Sequence, residues 1–223
     1  MKLNHVYKTF YPDTPKEVKA LTDINLTFEK GEFTTLSGES GSGKTTLLNI
    51  IGGLDSATSG QIFFEGEEIS AYSEEKMAKL RLHDIGFIFQ AYNLIHVLTV
   101  RENIGFIMKL LKFDKKEIDA RIIELATILQ IEELLDKLPG EISGGQQQRV
   151  AVARAVASRP KLILADEPTA NLDSKNSARL MNMLRTLNEK EQVTVIFASH
   201  DKYVLEQSKR IIVLDDGVVI EDR

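Results

Sequence analysis

The 223-residue sequence contains no cysteine, so neither a disulfide framework nor a thiolate metal site can form. Long apolar runs are also missing, and the stretch 193–198, one of the longest, is far too short to span a bilayer. Positive charge is scarce, with 28 Lys and Arg against 33 Asp and Glu, which argues against a nucleic-acid partner and against unaided binding to an anionic membrane. No signal peptide is apparent. We therefore expect a soluble cytoplasmic protein that reaches any membrane through a partner.

Residues 38–45, Gly-Glu-Ser-Gly-Ser-Gly-Lys-Thr, fit the phosphate-loop pattern. Glycines let backbone N–H groups approach a polyphosphate, Lys44 would neutralise its charge, and the Thr45 hydroxyl would ligate Mg²⁺. A predicted strand at 33–37 and a predicted helix at 45–51 flank the loop, so the helix N-terminus adds positive potential to the anion site. The alternative is a chance glycine loop between strand and helix, which this context disfavours.

The remaining pattern predicts an α/β fold. Strands with the composition of half-buried segments, expected to form an antiparallel layer beside the phosphate-loop strand, are predicted at 1–6, 23–28 and 61–69. Residues 98–138 have helical periodicity and predict a helical insert on the nucleotide core, broken by Pro139 and Gly140. Apolar runs predict buried strands at 85–89, 162–165 and 193–198, followed by a C-terminal hairpin with an Asp-Gly turn.

Polar side chains follow three of the predicted buried strands. Gln90 ends the first; if that strand neighbours the phosphate-loop strand in a parallel sheet, Gln90 could reach Mg²⁺ and the attacking water. Asp166 would anchor Mg²⁺, and Glu167 would orient and polarise the water. His200 could bond a γ-phosphate oxygen, although a lone histidine is more often a structural hydrogen-bonding group.

Two further segments permit two interpretations each. Ser143, Gly144 and Gly145 open a helix of small residues, which is typical either of an ordinary N-cap or of a second anion site. The aromatic stretch 7–11 lies between the first two predicted strands, and its rings either pack or stack on a purine. A second phosphate-type site beside a single phosphate loop hints at a site shared between two chains.

Taken in order, these pieces resemble the nucleotide-binding subunit of an ATP-binding cassette (ABC) transporter over nearly the whole chain. The discriminating block is Ser143-Gly144-Gly145-Gln146, since a phosphate loop alone fits many NTPases. Within that superfamily the chain resembles the lipoprotein-release and macrolide-export group, which includes peptide- and haem-export ATPases and a cell-division ATPase. This closer match rests on residues 47–55, 86–94 and 146–151.

The resemblance implies a fold and an architecture: a P-loop NTPase core with a mostly parallel sheet, an antiparallel β subdomain and a helical insert. It implies a single domain over 1–223, with the core and antiparallel strands in 1–90 and 160–223 and the helical subdomain at about 91–159. It also implies two copies that sandwich two ATP molecules head to tail. Residues 91–103 would receive a membrane permease subunit.

The resemblance also implies a role for each site residue. Phe10 is the first candidate for stacking on adenine, with Tyr7 and Tyr11 as alternatives. The expected triphosphate ligands are Ser40, Gly41, Ser42, Gly43, Lys44, Thr45 and Thr46. Thr45, Gln90 and Asp166 would hold Mg²⁺, Glu167 would be the general base and His200 would contact the γ-phosphate. The contacts expected across the dimer come from Ser143, Gly144, Gly145, Gln146 and Asp173. Glu39 departs from the small residue or Pro common in this group, so we expect it to face solvent.

The sequence therefore predicts an ATP hydrolase that drives a membrane partner to export or extract a lipoprotein, peptide, macrolide or haem type of substrate. An alternative is an ATPase switch that controls a cell-wall hydrolase or a cell-division complex through a membrane partner and moves no cargo. A soluble ABC protein acting on DNA or ribosomes is disfavoured, because that class usually has two cassettes or a long coiled-coil insert, and because this chain is acidic.

Overall fold

The computed structural model describes residues 1–206 and 208–223 and contains two β-sheets with helices packed around them. The strands are β1 (Lys2–Phe10), β2 (Val18–Thr27), β3 (Phe33–Ser37), β4 (Ser59–Phe64), β5 (Glu67–Glu68), β6 (Ile85–Ile88), β7 (Leu162–Asp166), β8 (Thr194–Ala198), β9 (Arg210–Asp215) and β10 (Val218–Asp222). The helices are α1 (Lys44–Ile51), α2 (Glu74–Asp84), α3 (Val100–Leu110), α4 (Lys115–Leu129), α5 (Gly144–Val156), α6 (Ser174–Glu191) and α7 (Lys202–Glu206).

The first sheet is antiparallel and has the strand order β2-β1-β4-β5, which confirms the predicted antiparallel layer. Its first strand is longer than the sequence pattern indicated. The aromatic stretch that was expected to connect two strands instead continues β1 as far as Phe10, because residues 8–10 pair with β2.

The second sheet has the order β10-β9-β3-β8-β7-β6, and all its strands are parallel except β10, which pairs antiparallel with β9. The strand that leads to Gln90, β6, is not a neighbour of the phosphate-loop strand β3, because β8 and β7 lie between them. The prediction for Gln90 required its strand to neighbour the phosphate-loop strand, and this requirement is not met. Its strand nevertheless ends at the same edge of the sheet as β3, since both strands are parallel to β7 and β8.

The mixed sheet is buried on both faces. Along β7, Ile163 and Ala165 pack into the core that the helices α3 to α6 share, whereas Leu162 and Leu164 pack into the core beneath the antiparallel sheet. This alternation explains why the strand consists of an unbroken apolar run. The two polar residues that follow it are consequently carried to the edge of a rigid, fully covered sheet.

The predicted helical region 98–138 contains two helices rather than one continuous segment. Helix α3 begins with a capping box between Thr99 and Glu102 and ends before a short turn, after which α4 begins at Lys115. Gln130 ends α4 with a left-handed φ of 54°, and a single 3₁₀ turn, Glu132–Leu134, follows. A second 3₁₀ turn, Pro139–Glu141, lies where Pro and Gly were expected to end the helical region.

A buried ion-pair network joins three helices on the side of α4 that faces the core. Arg121 is 2% exposed and donates to the Val156 carbonyl at the end of α5 (2.8 Å), to Glu124 (2.9 Å) and to Glu191 of α6 (2.9 Å). Lys190 donates to Glu124 at 2.5 Å. Bonds from Lys190 and Arg121 lower the pKa of Glu124 from its ordinary 4.5 to about 2. Arg121 therefore ties the helical region to the core through ion pairs with Glu124 and Glu191, while Glu191 Oε1 is buried and accepts no hydrogen bond from the described residues. We refer to these ion pairs as the α4–α6 network.

Candidate active site

The phosphate loop connects β3 to α1 at the carboxyl edge of the mixed sheet. Gly43, the residue before α1, has a φ of 101°, and a Cβ there would lie 2.7 Å from the Ala20 carbonyl oxygen of β2. A side chain at this position would thus meet both backbone strain and a backbone clash. The loop is pressed against the antiparallel sheet, so the glycine serves close packing as well as anion access.

Lys44 is 8% exposed, and its ammonium group is bonded to the loop itself. Its Nζ donates to the carbonyls of Gly38 (2.8 Å) and Glu39 (2.7 Å) and to the Ser42 hydroxyl (3.3 Å). Glu39 is exposed, but it also lines the cavity described below, so its exposure does not by itself show that the carboxylate points away from the anion site. Lys44 thus presents a positive charge inside the loop, held there by oxygens of the protein alone.

The start of α1 meets the end of β7 where Thr45 donates its hydroxyl to Asp166 at 3.1 Å. Burial raises the pKa of Asp166, the nearby charge of Glu167 adds to that increase, and the Thr45 bond and the Lys44 charge oppose it. The carboxylate of Asp166 is therefore poorly compensated by the chain alone. A bound cation would supply the missing positive charge.

Glu167 follows directly and is held by its backbone and its side chain. Its φ is 47°, which is unusual for a residue with a side chain, and its N–H donates to the Ala198 carbonyl at the end of β8 (3.2 Å). Its Oε1 lies 2.8 Å from Nδ1 of His200. An ionised carboxylate can only accept, so Nδ1 must carry the hydrogen, and Nε2 can donate to a phosphate oxygen only from the imidazolium form.

A cavity of about 1190 Å³ collects these groups at one edge of the sheet. Ten residues with a predicted catalytic, phosphate or metal role line it: Ser40, Gly41, Gly43, Lys44, Thr45, Thr46, Gln90, Asp166, Glu167 and His200. Phe10 also lines the cavity, whereas neither Tyr7 nor Tyr11 is among its lining residues. Ser42 is not a lining residue either: its side chain is 3% exposed and lies beneath the loop, where it accepts from Lys44.

Sequence reasoning missed one wall of the cavity. This wall consists of Val18, Lys19 and Ala20 at the start of β2 and of Asp216 and Gly217 in the turn between β9 and β10. The Asp-Gly turn was recognised, but only as a hairpin turn. Its approach to β2 depends on Gly217, where a Cβ would lie 2.6 Å from the Ala20 oxygen. Such a meeting of distant segments leaves no periodic pattern in the sequence.

The remaining predicted residues lie outside this cavity. Ser143 is exposed and caps α5 with Gln146 in a reciprocal box, in which the Ser143 N–H donates to Gln146 Oε1 at 2.8 Å. Gly144 and Gly145 form the first turn of α5. Asp173 caps α6 by accepting from the Asn176 N–H at 2.8 Å, and that bond lowers its pKa. None of these five lines the cavity of its own chain within the described residues, so the chain does not bring its two groups of predicted ligands together.

Comparison with known proteins identifies the family. Residues 21–170 match the family model described as ABC transporter. The bacitracin export ATP-binding protein BceA of Halalkalibacterium halodurans is 41% identical over 219 residues, covering 98% of this chain and 86% of BceA. The macrolide export ATP-binding/permease protein MacB of Campylobacter jejuni is 42% identical over 202 residues, covering 91% of this chain and 31% of MacB.

Solved structures agree with the sequence matches. The cassette MJ0796 of Methanocaldococcus jannaschii, in a dimeric post-hydrolysis state bound to ADP and Pi, superposes with a TM-score of 0.90. It is 40% identical, and the match covers 100% of this chain and 97% of that one. Among the residues that the model describes, no helix combines the length and apolarity needed to cross a membrane. The chain belongs to the ABC transporter family, as an ATP-binding and ATP-hydrolysing subunit.

Proposed function

We propose that two copies of this chain bind and hydrolyse ATP at their interface and thereby drive a membrane permease subunit from the cytoplasmic side. One observation carries this proposal. Lys44, Thr45, Gln90, Asp166, Glu167 and His200 line a single cavity, whereas Ser143 and Asp173 lie outside it on exposed helix starts. A second copy would complete each cavity with residues that the first copy cannot supply. The dimeric state of MJ0796 supports this arrangement.

The residues at the cavity fit Mg²⁺ bound together with a nucleotide. Thr45 and Asp166 are already 3.1 Å apart, and Gln90 lines the same cavity, so the available donors are all oxygens. No cluster of three or more His, Asp or Glu side chains suited to a metal occurs in the described part of the chain. This is the pattern expected for Mg²⁺, which keeps waters and phosphate oxygens as ligands instead of entering an all-protein cage. Mg²⁺ would neutralise charge on the terminal phosphates.

The protein's own part in the chemistry is positioning and charge. Lys44 would transfer its three bonds from loop oxygens to phosphate oxygens, which costs little because the ammonium group is already desolvated in place. Glu167 would accept a proton from the attacking water. In this conformation His200 is bonded to Glu167 and would restrict the movement of that carboxylate. Once bound, the terminal phosphate would compete with Glu167 for the imidazole. Phe10 would stack on the adenine.

The organisation of the chain supports a division of labour between its parts. We infer that residues 91–159 form a helical subdomain and that 91–103 receive the permease, while the rest of the single domain binds nucleotide. BceA and MacB, by their names, export bacitracin and macrolides, which supports export of a peptide or macrolide type of substrate. The localisation that follows is peripheral, on the inner face of the cell membrane.

The substitution Glu167→Gln tests the proposal. ATP should still bind, ATP-dependent dimers should accumulate in gel filtration, and turnover should fall by roughly 100-fold or more, because the general base is lost. Glu75→Gln, an exposed glutamate on α2, is the matched control and should leave turnover unchanged. Full turnover in Glu167→Gln would remove Glu167 from this role.

A further inference from the structure

Residues 90–93, the Gln90 loop, are held mainly through their backbone carbonyls. Asn171 Nδ2 donates to the Gln90 oxygen at 3.1 Å. The guanidinium of Arg154 donates to the oxygens of Tyr92 (3.0 Å) and Asn93 (2.6 Å). Tyr92 and Asn93 both have left-handed backbones, with φ of 59° and 49°. Two side chains thus fix three of the loop's four carbonyls in a conformation that an unrestrained chain rarely adopts.

Both donors belong to segments that bear the predicted contacts with a second nucleotide. Arg154 lies on α5, about three helical turns after its cap Ser143. Asn171 lies two residues before Asp173, the cap of α6. The Gln90 loop also contacts the first turn of α5, since a Cβ on Gly144 would lie 2.8 Å from the Tyr92 hydroxyl. The loop is therefore hydrogen-bonded to α5 near its C-terminal end and to the segment that leads into α6, and it lies against the first turn of α5.

The chemistry of Arg154 suits this task. Arg154 is partly buried where it meets the two carbonyls, and this burial lowers the pKa of its guanidinium. A planar guanidinium presents parallel N–H groups to two acceptors at once, which an ammonium group on a flexible stem does not. Replacement by lysine would keep the charge and lose the paired geometry.

We propose that Arg154 and Asn171 are positioning residues, which hold the backbone of the Gln90 loop so that the Gln90 side chain enters the cavity. This inference rests on the proposed function for the role of Gln90, but the restraint on the loop is a property of the nucleotide-free chain. A displacement of α5 or of the Asp173 segment would be passed to Gln90 through these three hydrogen bonds.

Arg149 is the matched control for Arg154. It lies on the same helix and also donates to two backbone carbonyls, although through a single nitrogen, Nη1: those of Leu129 (3.1 Å) and Gln130 (2.9 Å) at the end of α4. Burial lowers its pKa as well. Its acceptors, however, belong to α4 and not to the Gln90 loop. Arg149→Lys therefore reproduces the chemical change at a different place.

The first test measures backbone hydrogen–deuterium exchange of the nucleotide-free protein over residues 90–93. Arg154→Lys and Asn171→Ala should each speed exchange there by about tenfold, the effect of losing a hydrogen bond from a charged or amide donor. Arg149→Lys should leave exchange in that loop unchanged. Equal exchange in all four proteins would overturn the inference, whether or not the protein hydrolyses ATP. If Arg154→Lys does not fold, Asn171→Ala decides alone.

The second test is a double-mutant cycle with Gln90→Ala, read as turnover and as the Mg²⁺ concentration that gives half-maximal rate. Arg154→Lys and Asn171→Ala should each lower turnover about tenfold and raise the Mg²⁺ requirement, and neither should add a loss in the Gln90→Ala background. Equal losses in both backgrounds would show that they act independently of Gln90 and would contradict the proposal. Failure of the proposed function would show differently, as full activity of Glu167→Gln.

Discussion

Glu124 and Asp166 are carboxylates in two contrasting environments. Bonds from Lys190 and Arg121 lower the pKa of Glu124 to about 2, whereas burial and the neighbouring Glu167 raise that of Asp166. In the α4–α6 network each charged group is paired with an opposite charge of the chain itself. At the cavity edge, by contrast, Lys44 bonds to loop carbonyls and Asp166 has a hydroxyl as its nearest partner. The difference indicates which cluster stabilises the fold and which is built to be completed by a ligand.

The largest effect on stability should come from removing Arg121, the residue at the centre of the α4–α6 network. Arg121→Ala should lower the free energy of unfolding by about 3–5 kcal/mol, because it leaves buried charges and the Val156 carbonyl without their donor. Urea unfolding measures this loss. Arg101→Ala, which removes an exposed pair with Asp136 at 3.4 Å, should cost no more than about 1 kcal/mol. Similar losses in both variants would refute the special role of the network.

At the cavity edge, removal of the Asp166 charge should raise the stability of the nucleotide-free protein while it lowers the activity. Asp166→Asn should reduce ATP turnover by roughly 100-fold, since it removes the carboxylate charge that is proposed to anchor Mg²⁺. In the absence of nucleotide the same variant should melt at a higher temperature at neutral pH. The folded-state pKa of Asp166 is raised, so ionisation at neutral pH costs stability, and an amide avoids that cost. Asp136→Asn, at an exposed site, should change neither quantity. A lower melting temperature for Asp166→Asn would contradict this account.

The smallest expected effect is the contribution of Glu124, in the α4–α6 network, to the pH dependence of stability. The folded-state pKa of Glu124 is lowered from 4.5 to about 2, so its stabilisation is present above about pH 4.5 and is lost as the pH falls towards 2. Its side chain is 32% exposed, so solvent screening reduces the contribution to about 1–2 kcal/mol. Glu124→Gln should flatten this part of the stability profile by that amount, while Glu75→Gln keeps it. Unfolding followed between pH 2 and 5 gives the answer, and identical profiles would exclude the assignment.

Much of the fold was predictable because buried strands and capped helices leave local patterns. The apolar run of β7 and the glycines of the phosphate loop each reflect a requirement within a few residues. The break between α3 and α4 was not predictable in this way. It occurs at residues 111–114 without Gly or Pro, and the residue with a left-handed backbone in this break, Lys112, has an ordinary polar side chain.

In the candidate site, too, some residues could be predicted from local sequence patterns and other features could not. Gln90, Asp166 and His200 were found because each follows an apolar strand, and parallel strands end at one edge. The order of those strands, with two between β3 and β6, depends on tertiary packing that no local pattern records. The roles of Ser143 and Asp173 across a dimer stay predictions, since they concern atoms of another copy.

Arg154 and Asn171 hold the Gln90 loop by hydrogen bonds to backbone carbonyl oxygens, which are present whatever the side chain. The exposed side chains of Ala91 and Asn93 are consequently free to change without loosening Arg154 or Asn171, provided that the residue at 93 tolerates a left-handed backbone. Under the proposed docking role of residues 91–103, these positions could change to fit a different permease while Gln90 keeps its place in the cavity. A cassette of this kind can adapt to a new partner without changes in its nucleotide-binding site.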